Sequence, residues 1–180
     1  GMIHAKVWGI LPKDRIEIKT KKENVDYRKL IAAGSCFAEG EEVIDYGFVE
    51  RWILGLEEKY GVEVMQVGYD RYNAISTVQK LEANSMECVE VKQHSSVLHP
   101  PTKLLREAIL KKEFAYDENR LLEINFQNAR CTEDTNLNKY VNKKRSAGKV
   151  DMVVSTIIAV YLMQQAMLDN SELDWGIQVI

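Results

Sequence analysis

The sequence predicts an α/β protein in which helices cover a mixed or parallel sheet. Strand-like apolar segments alternate with amphipathic helical segments along the chain. Hydrophobic residues make up 46% and charged residues 28% of 180 residues, which is typical of a folded domain with a real core. No repeat or low-complexity linker divides the chain. We therefore predict one domain over residues 2–180, with Gly1 left out as a tag-cleavage remnant.

The first third of the chain predicts one strand and two helices. Residues 3–10 are strand-like and end at Leu11 and Pro12. Residues 26–33 are typical of a short helix. Asp45 can cap a longer helix that ends at Gly61. The apolar face of that longer helix consists of Phe48, Trp52, Ile53, Leu56 and Tyr60.

The middle of the chain continues the alternation. The segment VEVMQVGYD predicts an apolar strand that ends at Asp70. A helix is expected over about residues 73–83 and a strand over 87–92. Pro100 and Pro101 are predicted to open the next helix, because proline is favoured in a first helical turn.

The last third predicts a hairpin and a long helix. Residues 121–128 are ambiguous between helix and strand. Residues 129–132 and 139–142 predict two short strands joined by a polar turn. The final helix is expected to start near Asp151. Its apolar run carries several polar residues, so we interpret it as a buried helix and not as a membrane span.

Composition narrows the function class. A net charge of −3 argues against a dedicated nucleic-acid-binding protein, but a nuclease needs only acidic metal ligands and a local basic rim. Residues 139–149 supply such a rim, with five basic residues and no acid. The three cysteines are far apart and show neither disulfide nor metal spacing. Together with the absence of a recognisable secretory signal, this predicts a reducing cytoplasm.

Two aspartates are candidates for chemistry. Asp70 follows an apolar strand, and sites gather at the carboxyl ends of strands in open α/β sheets. Asp151 lies in the first turn of a helix after a basic loop. Two such carboxylates could share hard cations such as Mg²⁺ or Mn²⁺. The alternative is that each is a turn or cap residue, which is the more common role for an aspartate in these positions.

The basic loop before Asp151 has two interpretations. Its cations could bind DNA phosphates, or they could form an ordinary solvated loop. The candidate DNA-binding residues are Lys143, Lys144, Arg145 and Lys149. Gln93 could line a cleft or be structural. Asp45 is interpreted as a helix cap, with a site role as the minor alternative.

Several segments, taken in order, resemble the C-terminal nuclease half of the large terminase subunits of tailed phages. The resemblance covers about residues 4–168. The matching pieces are WGILP, VDYRKLIAAG, EVIDYGFVERWI, VGYDRYNA, VEVKQHSSVLHPPTKLLREAI, NFQNA and KKRSAGKVDMVVSTIIAVYLMQQA. Each piece is weak alone, but their common order and spacing are fairly specific.

This resemblance implies an RNase H-like fold that uses three acids around two Mg²⁺ or Mn²⁺ ions. Asp70 matches the second acid and Asp151 the third. The implied activity is endonucleolytic cutting of concatemeric phage DNA. The implied partners are double-stranded DNA, the portal and the small terminase subunit, with no membrane, in the cytoplasm of a bacterial host. Another RNase H-like enzyme, such as a resolvase, stays open as an alternative.

One departure from the family pattern stands out. The first acid is expected in a Gly-x-Asp-like strand before Trp8, and residues 1–10 contain no acid. We therefore expect a sheet that lacks its first strand or strands, with poor DNA cutting by this chain. We also expect the bared edge to pair with a second copy, with residues 3–10 or with residues 175–180. The missing first acid favours the alternative of a catalytically incomplete prophage remnant that acts at most as a DNA- or protein-binding module. No ATPase phosphate loop is present in the sequence either.

Overall fold

The computed structural model describes residues 1–72 and 74–170. Its helices are α1 Ile16–Glu23, α2 Tyr27–Ala32, α3 Tyr46–Leu54, α4 Leu56–Tyr60, α5 Ile75–Ala83, α6 Ser95–Leu110, α7 Arg120–Asn128 and α8 Asp151–Asn170, with a 3-10 turn at Lys13–Arg15. Its strands are β1 Ile3–Ala5, β2 Gly9–Leu11, β3 Cys36–Ala38, β4 Val67–Tyr69, β5 Cys88–Glu90, β6 Phe114–Tyr116, β7 Cys131–Glu133 and β8 Lys139–Val141.

The described strands pair two by two. β1 pairs with β6, β2 with β3 and β4 with β5, all in parallel, while β7 and β8 form an antiparallel hairpin. Helices connect the parallel partners, as parallel pairing requires. The α/β class with a mixed strand arrangement is therefore confirmed. The predicted strand over residues 3–10 divides into two short strands with different partners. Residues 175–180 lie outside the described residues.

Helix α8 is the element around which the other layers pack. It lies against α6, α7 and β4. It is long and apolar enough to cross a membrane by length and composition alone. Its side chains, however, enter all three hydrophobic clusters, which is the behaviour of a core helix. These buried residues are Met152, Val153, Ile157, Ile158, Val160 and Leu162.

Helix α6 corrects the sequence prediction. It begins at Ser95, not at Pro100, and both prolines lie inside it. The start is set by His94, whose Nδ1 accepts the backbone N–H of Ser96 at 3.2 Å. A side-chain cap of this kind fixes the first turn upstream of the prolines. The helix therefore begins one and a half turns earlier than proline preference alone predicts.

In two further segments, a side-chain cap determines where a helix begins. The ambiguous residues 121–128 are helical, because Asn119 accepts the N–H of Leu122 at 3.0 Å and starts α7. Asp45 accepts the N–H of Gly47 at 2.9 Å and starts α3, which confirms the predicted cap. The predicted long helix after Asp45 breaks at Gly55 into α3 and α4 and ends before Gly61.

Candidate active site

Asp70 is positioned by a strand that lies directly on α8. It follows β4, and its Oδ1 accepts the backbone N–H of Tyr72 at 3.3 Å. Gly68, two residues earlier, makes the close approach possible. A Cβ at that position would lie 2.6 Å from Ile158 Cγ2 and 2.9 Å from Leu162 Cδ1. The small residue at 68 therefore sets how near Asp70 comes to α8.

Asp151 is positioned by the preceding helix. The side chain of Asn125 on α7 is 3% exposed. Its Oδ1 accepts the N–H of Met152 at 3.2 Å, while its Nδ2 donates to the carbonyl of Leu121 at 2.9 Å. Asn125 thus anchors the first turn of α8. Asp151 itself faces solvent, with 68% of its side chain exposed.

The basic loop over residues 142–149 is held at both ends. At its start, Asn142 Oδ1 accepts the N–H groups of Lys144 and Arg145 at 3.0 and 3.2 Å. At its end, Asn128 Nδ2 donates to the Lys149 carbonyl at 3.0 Å. A Cβ at Gly148 would lie 2.7 Å from that same Nδ2. The loop therefore presents its cations from a fixed backbone.

The β7–β8 hairpin is fastened to the start of α6. Asp134 accepts a hydrogen bond from Ser95 Oγ at 2.5 Å and from Asn138 Nδ2 at 3.0 Å, and it also accepts backbone N–H groups within its own turn. These bonds, led by those from Ser95 and Asn138, hold the pKa of Asp134 well below its usual range. His99 Nδ1 accepts the Lys139 N–H at 2.8 Å. The hairpin consequently holds Tyr140 and the basic loop against α6.

Two cavities receive the candidate carboxylates. The first, which we call the Asp70 cleft, has a volume of about 440 Å³. It is lined by Asp70, Gln93, Leu98, Thr102, Tyr140, Val141, Asn142, Lys143, Lys144, Val154 and Ile157. The second, the Asp151 groove, has a volume of about 420 Å³ and includes Lys149. Lys143 lines the cleft, and its Nζ lies 3.9 Å from Asp151 Oδ1, so one cation of the cleft also faces the carboxylate of the groove.

Comparison with known proteins agrees with this architecture. The profile of the family "Terminase large subunit, endonuclease domain" matches residues 1–167. The chain belongs to this family. The phage-terminase resemblance inferred from the sequence is therefore confirmed. No curated protein sequence matches the chain significantly.

Solved structures show the same fold. The large terminase of bacteriophage HK97 superposes with a TM-score of 0.76 at 19% identity, covering 85% of this chain and 32% of that one. The large terminase nuclease from thermophilic phage G20c gives a TM-score of 0.52 at 19% identity, covering 66% of this chain and 62% of that one. A second structure of the G20c nuclease, with bound magnesium, has a TM-score of 0.48 at 18% identity. This chain spans about a third of the HK97 protein. The terminase nuclease domain fold is therefore shown.

The candidate metal ligands of this terminase nuclease domain are of the type that a hard cation prefers, but they are too few to form a complete site. Asp70 and Asp151 offer carboxylate oxygens, which Mg²⁺ and Mn²⁺ prefer. Within residues 1–72 and 74–170, however, no group of three or more His, Cys, Asp or Glu side chains gathers as a metal site would require. The described residues therefore present two candidate ligands, one in each cavity. A complete metal site needs a further one.

The sequence reasoning placed some cleft residues and missed others. Asp70, Lys143 and Lys144 come together in one cleft, whereas Asp151 and Lys149 line the neighbouring groove. Arg145 is exposed on the loop and lines neither cavity. Gln93, left open by the sequence, lines the cleft. Three other polar cleft residues were missed, namely Thr102, Tyr140 and Asn142, because only the docking of the hairpin onto α6 brings them there.

Proposed function

We propose that this terminase nuclease domain cuts concatemeric phage DNA during packaging, with Asp70 and Asp151 as metal ligands and catalytic carboxylates. The observation that carries the proposal is the position of Lys143, which lines the Asp70 cleft and lies 3.9 Å from Asp151. One basic loop thus adjoins both acids. Membership of the endonuclease family supports DNA as the substrate.

In this proposal the metal ions are Mg²⁺ or Mn²⁺. When bound, a metal pair activates water and stabilises the leaving oxygen of a phosphodiester. The chain's own carboxylates hold and orient the ions. A third carboxylate, expected from a Gly-x-Asp-like strand, completes the ligand set. Two carboxylates alone hold such a centre loosely, so we expect weak cutting by residues 1–180 alone.

Double-stranded DNA approaches along the basic loop. Lys144, Arg145 and Lys149 have no carboxylate partner in the part of the chain that the structure describes, so their charges are available to phosphates. Lys143 is the exception, since it faces Asp151. As in the family generally, we propose that the portal and the small terminase subunit are the protein partners, in the cytoplasm of a bacterial host.

The alternative, a remnant that folds but does not cut, is not favoured. The family match covers residues 1–167, and both matching acids are present in the sequence. A remnant would be free to lose these features.

Plasmid nicking with Mn²⁺ tests the proposal. The 180-residue chain is compared with a version extended upstream through a Gly-x-Asp-like strand, each also carrying Asp70→Ala. We expect efficient nicking by the extended protein only, and its loss with Asp70→Ala. Asp45→Ala removes an equal charge at the cap of α3 and should leave nicking unchanged.

Two results would count against this account. Nicking that survives Asp70→Ala would overturn the assignment of the site. Robust nicking by the 180-residue chain that is lost with Asp70→Ala would keep the site, but it would show that a residue already within this chain serves as the third ligand.

A further inference from the structure

The apolar face of α3 and α4 is only partly covered. An amphipathic helix packs such a face into a core. The face consists of Phe48, Trp52, Ile53, Leu56 and Tyr60. All five side chains are only half-buried, whereas the buried residue of α3 is Glu50, which accepts a hydrogen bond from Thr77 on α5 at 3.3 Å. The charged side chain of the helix is thus packed, while the apolar face still lacks a cover.

A mostly apolar cavity, which we call the Trp52 groove, lies on this face. Its volume is about 480 Å³. It is lined by Ile3, His4, Ala5, Lys6, Val7, Trp8, Ile10, Val49, Trp52, Ile53, Leu56, Ser155, Thr156, Ala159, Val160 and Met163. On the α8 side, Ser155 and Ala159 are exposed, although most neighbouring side chains of that helix are buried. Helices α3 and α8 therefore leave surface uncovered along the same cavity.

The third wall of the Trp52 groove is the edge of a strand. All three residues of β1 line it, and Lys6, Val7 and Trp8 follow. Successive side chains of a strand point to opposite faces, so a cavity that meets each residue in turn lies along the backbone. Among the described strands, β1 pairs only with β6 and β2 only with β3. An edge without a strand partner is a template for an added strand.

Residues 171–180 have the sequence of such a strand. In this segment, SELDWGIQVI, the apolar residues Trp175, Ile177 and Val179 alternate with Gly176 and Gln178. This alternation is typical of a strand with one apolar face. The part after residue 174 carries no charged side chain. Its chemistry therefore matches the mostly apolar groove.

The segment is also long enough to reach the Trp52 groove. An α-helix rises by about 1.5 Å per residue, so the end of α8 at Asn170 lies about 10 Å beyond Met163 and about 16 Å beyond Ala159 along the helix axis. A turn within residues 171–174 leaves six residues, which span about 20 Å when extended. That length is enough to run back along α8 past both groove residues.

We propose that residues 175–180 bind in the Trp52 groove as an added β-strand of the same chain. Their backbone pairs with the open edge of β1, and Trp175, Ile177 and Val179 cover the apolar face of α3 and α4. The segment of the same copy is favoured over that of a second copy, because a short tether to α8 holds it at an effective concentration on the order of millimolar. The inference goes beyond the proposed function, since it does not depend on DNA cutting.

Amide hydrogen exchange of the full 180-residue chain tests the added strand. Ile177→Asp places a charge on the apolar face of the segment, and Gln178→Asp is the matched control on its other face. In Ile177→Asp, the amides of residues 3–8 that face the groove should exchange about 10- to 150-fold faster than in the wild type, because the burial of one isoleucine side chain is lost. In Gln178→Asp they should stay within about 2-fold of the wild type. Exchange in the β7–β8 hairpin, which does not line the groove, should be unchanged in both variants.

Two results would overturn the inference. Equal exchange of residues 3–8 in the wild type and both variants would mean that residues 175–180 do not cover this edge. Protection of residues 3–8 that rises with protein concentration, together with a dimer in sedimentation, would assign the edge to a second copy. If Ile177→Asp also speeds exchange in the hairpin, the whole fold is affected and the uncharged variant Ile177→Ala decides. It should speed exchange in residues 3–8 alone, and exchange like that of the wild type would contradict the added strand.

Discussion

The two cavities that hold the candidate carboxylates are nearly equal in volume and differ in what lines them. The Asp70 cleft, at about 440 Å³, is lined by two lysines and by several polar side chains from α6, the β7–β8 hairpin and the segments beside them. The Asp151 groove, at about 420 Å³, is lined largely by core residues such as Leu11, Tyr27 and Cys36. Burial there raises the pKa of the Cys36 thiol to about 11. The cleft therefore combines charged and polar side chains with apolar ones, whereas the groove exposes mostly apolar residues beside the carboxylate of Asp151.

The two acids also differ in how they are held. Asp151 belongs to α8, whose first turn is fixed by the buried Asn125. Asp70 reaches α8 only through the close approach of Gly68 to Ile158 and Leu162. The position of Asp151 thus depends on a hydrogen bond and that of Asp70 on packing. Lys143 lines the Asp70 cleft, and its Nζ lies 3.9 Å from the carboxylate of Asp151, which lines the groove.

The largest expected effect is on the affinity for DNA, when the basic loop beside the Asp70 cleft loses its charges. Replacing Lys143, Lys144 and Arg145 by Ala should weaken binding to duplex DNA. It should also flatten the slope of log K against log salt by up to about 0.9 for each phosphate that the protein no longer neutralises. A titration series over salt concentration measures this. The control variant removes the same number of charges elsewhere, by changing Lys21, Lys22 and Lys111 together to Ala. It should leave the slope unchanged. An unchanged slope for the loop variant would show that the loop is only solvated surface.

The next effect concerns the packing that holds Asp70. Gly68→Val places a side chain where a Cβ would already lie 2.6 Å from Ile158 Cγ2. We expect a decrease of about 1–3 kcal/mol in the free energy of unfolding, because overpacking forces the strand away from the helix. Urea denaturation measures the decrease. Val67→Ile, one residue away, should lower the free energy of unfolding by less. Equal urea midpoints for Gly68→Val and the wild type would mean that β4 does not pack against α8.

A smaller effect concerns the β7–β8 hairpin, whose Tyr140 lines the cleft. The depressed pKa of Asp134 means that its ionised form is favoured in the folded protein. Its contribution to stability is therefore complete above its ordinary value of 3.8 and is lost as pH falls from there through the folded pKa. Asp134→Asn should lower the unfolding midpoint at pH 7, and the difference from wild type should shrink under acid conditions.

Asp26→Asn is the control for Asp134→Asn, because it changes an aspartate that caps another element, the N-terminus of α2. A difference between Asp134→Asn and the wild type that stays constant from pH 7 to strong acid would contradict the charge-based account of the hairpin.

Local chemistry made much of the fold predictable. The cap at Asp45 and the hairpin around the polar turn follow from short-range patterns, and the structure contains them. The predicted strand before Asp70 is present only as Val67–Tyr69, since residues 62–66 are not in a strand. The start of α6 was misplaced because a histidine cap at His94 prevailed over the preference of proline for a first turn. Strand pairing was harder to foresee. Nothing local in residues 3–10 indicates that one half pairs with β6 and the other with β3.

The candidate site was predictable only in part. Asp70 and the loop lysines stand at positions where strands and helices end, which sequence can indicate. Thr102 lies in mid-helix and Tyr140 within a strand, where both look structural. Their meeting in one cleft depends on tertiary hydrogen bonds such as those between Asp134 and Ser95 and between Lys139 and His99. Hydrogen bonds between residues about 40 positions apart leave no periodic signal in a single sequence.

The central claim, that Asp70 and Asp151 act on one metal centre although they line two cavities, is tested most directly by the affinity for Mn²⁺. Isothermal titration of the wild type, Asp70→Asn, Asp151→Asn and the double variant forms a double-mutant cycle, with Asp45→Asn as the charge control. A shared site predicts that each single change removes most of the affinity and that the double variant loses little more, because the losses are coupled. Losses that add independently, or an Asp151→Asn variant that binds Mn²⁺ like the wild type, would contradict it.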